Sequence, residues 1–289
     1  MKYIYGILCH QVTNPLRFLI STLCKNSDVQ VIIHVDQKSD LNHFLDEFSN
    51  YAQVYFIQNR INVLWGSFSQ IEATLQILKA TQTYDYNYFS LLSGDDIPLQ
   101  KISNFHHFLE ENPHEFLDLD KFPLCKLEPR VKYKYGNSFF NKNRTQKEHL
   151  SCKLQKKLFK IGLRRNNITH LPKLHKGSQW FTLSHNAINY IFKYLDDHPN
   201  YINTFKDSLC GDELFFHTIL FNSFFSDKIK SKNYMSESFT RYIDWETGPD
   251  FPRTLNESDF KKMKSSGMFF ARKLQHNIPL ESLRKNFDI

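Results

Sequence analysis

The sequence predicts an α/β fold in which a central, mostly parallel sheet is flanked by helices, and two features predict it. The chain opens with strand-like β-branched runs that alternate with stretches whose apolar residues repeat at helical spacing, the signature of parallel strands joined by crossover helices. Two of the hydrophobic runs stop at carboxylates, the first at Asp36 and the second at Asp95 and Asp96. In open parallel sheets ligands bind outside the carboxyl ends of the strands, so these acids are placed to share one cleft.

Taken in order, "KYIYGILCH" reads as a buried strand and "NPLRFLISTL" as a helix with Leu16, Leu19, Ile20 and Leu23 on one face. "VQVIIHVDQKSD" is a second strand ending in His34 and Asp36, and "AQVYFIQ" a third. "SFSQIEATLQILKATQ" sets Ile71, Leu75 and Leu78 on one helical face, and "YNYFSLLSGDDIPLQ" is a fourth strand that stops at Gly94, Asp95 and Asp96. Further on, "HLSCKLQKKLFKIGLRR" aligns Leu150, Leu154, Leu158 and Ile161 in a stripe among Lys153, Lys156, Lys157, Lys160, Arg164 and Arg165, a basic amphipathic helix. "KGSQWFTLSHNAINYIFKYL" is a turn, a short strand and a helix capped at Ser184. "LCGDELFFHTILFNSFF" is an apolar helix preceded by Asp212 and Glu213, "RYIDWETGPDFPRTL" is rich in loop signals, and "GMFFARKL" closes the organised part.

The chain has 289 residues, of which 41% are hydrophobic and 15% aromatic, enough for one large domain with a sizeable core. Within residues 1–289 the reading divides the chain into a nucleotide-binding part (1–117), a basic insertion (118–176) and a catalytic and diphosphate-binding part (177–274). His10, Gln11, Asn14, Pro15 and Arg17 interrupt the first apolar run, so no signal peptide or membrane anchor is expected. Cys9, Cys24, Cys125, Cys152 and Cys210 show no CxxC pair and no zinc spacing, which points to free thiols and the cytoplasm. The net charge of +7 is concentrated. Fifteen Lys or Arg face only Glu128 and Glu148 between Lys126 and Lys176. Such a segment is either a solvated face or a surface for anionic lipid, nucleic acid or an acidic glycan.

Several chemistries are disfavoured. There is no GxGxxG fingerprint for a dinucleotide, no GxSxG elbow for a nucleophilic hydrolase and no HExxH or comparable metal spacing. His106, His107 and His217 read as structural residues. Asp36 can bond a ribose hydroxyl or a uracil edge, or simply end its strand in an Asx turn. Asp95 and Asp96 resemble an acidic metal turn but are not DxD, and adjacent side chains on an extended chain point apart. Arg272 and Lys273 could hold a diphosphate or be a solvated strand end. Asp212 and Glu213 could do no more than complement the positive end of a helix.

The blocks "HVDQKS", "WGSFSQIEATLQIL", "FSLLSGDDIPL", "KGSQWFTLS", "GDELFFHTIL", "RYIDW" and "FFARKL" occur together, in an order and spacing that resemble the core-2/I-branching β-1,6-N-acetylglucosaminyltransferase family, which also contains the peptide O-xylosyltransferases. The resemblance runs from about Lys2 to Leu274. It implies a GT-A-type nucleotide-sugar-binding fold and an inverting transfer that needs no metal. Residue by residue it implies that Asp36 and Asp96 serve the donor nucleotide, that Glu213 is the general base with Asp212 capping the helix behind it, and that Lys273 first and Arg272 second bind the diphosphate. Arg253 would add a phosphate contact, while Trp245 and Trp180 would line the acceptor. The implied donor is a UDP-sugar carrying GlcNAc, xylose or a related unit, and the implied acceptor a hydroxyl of a cell-surface glycan or lipid-linked precursor. This chain lacks the N-terminal anchor and paired cysteines of the animal members, so the expected setting is bacterial and cytoplasmic. The basic helix 150–165 would then hold the enzyme on the inner face of the membrane or bind the acceptor, with no nucleic-acid partner. Two rivals are a metal-dependent transferase using Asp95 and Asp96 and a non-enzymatic binder of anionic polymers.

Overall fold

A computed structural model of the chain describes residues 3–120, 123–141, 143–230, 240–249 and 252–287. Lys2, expected in the first strand, and Lys142 of the basic insertion lie outside these residues. The N-terminal half alternates as read: β1 (Tyr3–Cys9), α1 (Asn14–Leu23), β2 (Val29–Val35), α2 (Leu41–Phe48), β3 (Val54–Phe56), α3 (Phe68–Thr81) and β4 (Tyr88–Ser93). A short β5 (Ile97–Pro98), α4 (Ile102–Glu111) and β6 (Glu115–Leu117) follow, then α5 (Leu124–Lys132) and α6 (Gln146–Lys160). The C-terminal part holds β7 (Phe181–Ser184), α7 (His185–Asp197), α8 (Pro199–Phe205), α9 (Phe215–Phe221), β8 (Ile229–Lys230), β9 (Arg241–Ile243), α10 (Phe260–Ser265), β10 (Phe270–Arg272) and α11 (Leu280–Asn286).

Local chemistry explains the starts of the main helices. The hydroxyl of Thr13 accepts from Leu16 N–H at the head of α1, where Pro15 costs no hydrogen bond. Ser67 caps α3, and Ser184 caps α7 by accepting from Ala187 N–H, as its position in the sequence predicts.

The large sheet has the order β3-β2-β1-β4-β7-β6-β8, with β3, β2, β1 and β4 parallel and β7 antiparallel to both of its neighbours. Alternate residues of β1 and β2 face opposite layers. Tyr5, Ile7, Val31 and Ile33 pack with α1, α2 and α4, while Ile4 and Ile32 pack with α3, α7 and α9. Burial on both faces is why these strands read as continuous hydrophobic runs. A second sheet, β5-β10-β9, packs on Phe18 of α1 and on α10 and α11. It pairs Arg272 of β10 with Ile243 of β9.

Two consequences of this topology matter for function. The chain runs outward from β1 through β2 and β3, then returns to the other side of β1 as β4. The carboxyl ends of β1 and β4 therefore form a topological switch point, the preferred ligand crevice of such sheets. The basic insertion leaves the sheet after β6 and re-enters it at β7, so its ends are anchored beside that crevice. Its helix α6 turns most of the leucine stripe outward. Cys152 and Phe159 are buried against Phe139, Phe140, Tyr133 and Tyr135, whereas Leu150, Leu154 and Ile161 face solvent. Among the described residues no helix is long and apolar enough to cross a membrane.

Candidate active site

The carboxyl ends of β1 and β2 open into a cleft, continuous with solvent, whose walls include His10, His34, Asp36, Gln70, Gln179 and Trp180. Asp36 follows β2 directly. Its backbone N–H bonds Cys9 O at 2.8 Å, and its Oδ1 accepts from Lys38 N–H at 3.0 Å, so the Asx turn and the cleft position both hold. His34 accepts from Ile61 N–H through Nε2 at 2.8 Å, and burial lowers its pKa, so it stands there as a neutral ring. A smaller depression shares His10 and extends to Ser93 and Asp95 at the end of β4.

The acidic turn after β4 separates into two environments. Asp95 is at the rim and is held by His276 Nε2 at 2.9 Å. Asp96 is wholly enclosed. Ser93 Oγ donates to its Oδ1 at 2.6 Å, and Arg272 Nε lies 3.3 Å from the same oxygen without the alignment of a hydrogen bond. Burial raises the Asp96 pKa against the opposing pull of Arg272 and Arg241. The Arg272 guanidinium beside Asp96 lies 4.0 Å from the centre of the Trp180 ring. Trp180 also lines the cleft that holds Asp36. Lys273 is half-buried beside Arg272 and has no ion-pair partner among the described residues.

Glu213 lies on the single turn Gly211–Glu213 that precedes α9. The turn starts at Cys210, a non-glycine residue in the left-handed region (φ 50°), whose N–H bonds Gly66 O at 2.6 Å. Three residues from the insertion and its return surround the carboxylate. Arg130 Nη1 donates to Glu213 Oε2 at 2.5 Å, and Lys176 Nζ approaches the same oxygen at 3.3 Å while donating to Asp120 Oδ2 at 2.6 Å. Glu213 Oε1 has no partner among the described residues. Asp212 does not cap α9, which has no side-chain cap. It is buried with Oδ1 unpaired among the described residues, and burial followed by repulsion from Glu213 pushes its pKa up to about 7.

One short segment joins these clusters. Lys176 touches Glu213, Gly177 N–H bonds Glu213 O at 2.9 Å, Gln179 accepts from Gln70 at 3.3 Å in the cleft, and Trp180 supports Arg272. Gly177 is required there, because a Cβ would fall 1.6 Å from Asp118 O and 2.5 Å from His217 Nε2.

Two expected residues stand apart. Arg253 is engaged by Asp244 at 3.0 Å and by Asp259, so its charge is already matched by two carboxylates and it acts as a clamp behind β9. Burial would raise the Asp244 pKa, but hydrogen bonds from Thr247, Glu246 and Arg253 outweigh it and hold the group well below the usual range. Trp245 follows β9 two residues after the partner of Arg272 and is half-buried, with Nε1 unpaired among the described residues. Asp120 and Arg130 escape sequence reading because their partners are remote in the chain. Lys176 stands at the head of "KGSQW" but reads as one more charge of the basic run.

The family model described as Core-2/I-Branching enzyme matches residues 5–266. Xylosyltransferase sqv-6 of Caenorhabditis elegans is 23% identical over 274 residues, covering 87% of this chain and 32% of that protein. Beta-glucuronosyltransferase GlcAT14A of Arabidopsis thaliana is 24% identical over 264 residues, covering 86% and 56% respectively. The chain thus spans about a third and just over half of the lengths of these relatives. The apo structure of the bifunctional glycosyltransferase WbbM superposes with a TM-score of 0.46 at 11% identity, covering 99% of this chain and 50% of that one.

Proposed function

This chain belongs to the core-2/I-branching enzyme family, and on that footing we propose that it is an inverting glycosyltransferase. It would move a sugar such as GlcNAc, xylose or a related unit from a UDP-sugar to a hydroxyl of a glycan or lipid-linked acceptor, forming a β-linkage. The observation that carries the reading is the divided carboxylate of Glu213. Oε2 is fixed by Arg130 and Lys176, and Oε1 is left to accept a proton.

In the proposed step, the acceptor oxygen attacks the anomeric carbon from the face opposite UDP while Glu213 Oε1 removes the hydroxyl proton. The new carbon–oxygen bond forms as the bond to the β-phosphate breaks, and its electron pair leaves with UDP. Lys273 and Arg272 supply preorganised positive charge for the phosphate, with Asp96 and Trp180 holding the guanidinium in place. Asp36 is positioned for the nucleoside end of the cleft. A metal-free route is supported by how the acids after β4 are used. Asp96 is enclosed and Asp95 is engaged by His276.

The test is UDP release across a panel of UDP-sugars in EDTA, comparing the parent with Glu213→Gln and Lys273→Ala. The expected result is donor-specific turnover that survives EDTA and falls about 10²–10⁴-fold without the base and about 10²–10³-fold without the lysine. Turnover that requires added manganese, or that ignores Glu213, would refute the mechanism.

A further inference from the structure

Helix α6 presents an apolar strip to solvent. Leu150, Leu154 and Ile161, separated by four and seven positions, share one helical face and are 69%, 58% and 70% exposed. The helix ends in a Schellman arrangement. Gly162, at φ 87°, donates to Phe159 O, and Leu163 N–H reaches Leu158 O at 2.9 Å. This turn sets Leu163, itself 53% exposed, beside the strip. Four of the nine strongly exposed large apolar side chains among the described residues therefore lie within this one stretch, so the patch is not random scatter.

The opposite face of α6 is already occupied. Phe159 stacks on Tyr133 at 4.5 Å and meets Tyr135 at 5.2 Å, with Cys152 beside them. The leucine strip thus cannot turn inward without dismantling this satellite core. Along its flank stand Lys153, Lys156, Lys157 and Lys160, all exposed and none in an ion pair among the described residues. The one acid of the helix, Glu148, is taken up by the Thr145 capping box and by Asn141.

We propose that this face of α6 is a docking surface for an anionic lipid bilayer. Unpaired lysines select a negatively charged partner, and the exposed leucines select a bilayer over a soluble polyanion, which has no apolar phase to receive them. The helix would lie in the interfacial plane with Leu150, Leu154, Ile161 and Leu163 below the headgroups and the lysines among them. The satellite core beneath includes Leu209, four residues before Glu213, so docking would hold the base-bearing turn at a fixed distance from the membrane. The inference does not depend on the transferase reading, since its readout is binding alone.

The experiment is co-sedimentation of the whole chain with phosphatidylcholine vesicles and with phosphatidylcholine vesicles containing 30% phosphatidylglycerol, at low and high salt, with about 30% taken as a strongly anionic surface. The variants are Leu150→Ser/Leu154→Ser and Lys153→Glu/Lys157→Glu, whose exposed positions leave folding intact, as checked by thermal melting. Binding confined to the anionic vesicles, reduced at least about tenfold by the leucine pair and about 25-fold or more by the lysine pair at low salt, is the expected result. No binding to anionic vesicles overturns the proposal. So does binding indifferent to the leucines and equalled by a soluble polyanion such as heparin, or a leucine-dependent dimer that ignores vesicles.

Discussion

Replacing Lys176 by Met is the most informative single change, because it separates the folding role of the lysine from its role beside Glu213. Lys176 Nζ lies 2.6 Å from Asp120 Oδ2, and the two side chains are only 5% and 6% exposed. Burial pushes the Asp120 pKa upward, and Lys176 is the main group pulling it back. Removing one partner of a buried pair costs about 3–5 kcal/mol, because the other charge is left uncompensated. At about 2–4 °C per kcal/mol for a domain near this size, the melting temperature should fall by roughly 10 °C. Adding Asp120→Asn to the Met variant removes the orphaned charge and should return at least about 2 kcal/mol, read as the coupling term of a double-mutant cycle in urea. Turnover should remain depressed in the double variant, because the 3.3 Å contact with Glu213 is not restored. If the two single changes are additive within about 0.5 kcal/mol, the two buried side chains are not coupled and the pair does not hold this part of the fold.

Three further outcomes can be checked independently. The raised pKa of Asp212 makes its ionisation cost stability in the folded chain: the penalty begins as pH rises past the ordinary carboxyl value and is complete above about 7. Asp212→Asn should therefore match the parent near pH 4 and exceed its stability at pH 8, by up to about 4 kcal/mol shared with Glu213, in denaturant titrations; an unchanged pH slope would contradict this. Gly177→Ala should be among the most damaging small substitutions, since its Cβ would collide with Asp118 O; a melting temperature within 2 °C of the parent, as about 0.5 kcal/mol would give, argues against that close approach. Trp180→Leu removes the ring under Arg272. If Trp180 serves the donor through Arg272, a cation–π contact of about 0.5–2 kcal/mol predicts a rise of roughly 2- to 30-fold in donor KM with the melting temperature little changed; an effect confined to acceptor KM would refute this and place Trp180 at the acceptor.

Strand β3, an edge strand with Tyr55 exposed, was legible from its β-branched and aromatic run, whereas β1, β2 and β4 were legible because each is buried on both faces and ends at turn residues. The acids that follow β2 and β4 were legible as candidates for the same reason. What periodicity could not show was which face of a helix meets the core. The leucine stripe of α6 has the right spacing for burial, yet the aromatic residues of Tyr133 to Phe140 capture Cys152 and Phe159 instead. Glu213 stood out as a carboxylate ahead of an apolar run, but its environment did not. Arg130 reaches it from 83 residues away, and the Lys176 beside it is held by Asp120 from 56 residues away, through contacts that no local pattern encodes. Around Arg253 no sequence pattern marked its carboxylate partners, Asp244 and Asp259, which lie nine residues before it and six after it.

The charge of the insertion also acquires a meaning that a net count conceals. Two of its cations, Arg130 and Lys176, are turned inward to meet Glu213, with Asp120 and Asp212 close by, so the site concentrates three acids against two bases in a largely buried volume. Such a set cannot be fully ionised at low cost: burial raises the pKa of both Asp120 and Asp212, and Asp212, with an unpaired buried oxygen among the described residues, is pushed up to about 7. Glu213 keeps both cations on one oxygen, which fixes the carboxylate without occupying the atom that would take the proton. The lysines of α6 have no such inward partners, and reversing their charge should leave Glu213 where it is. Exposed and buried cations of one segment are thereby separable by experiment: the first should govern attachment, the second the chemistry.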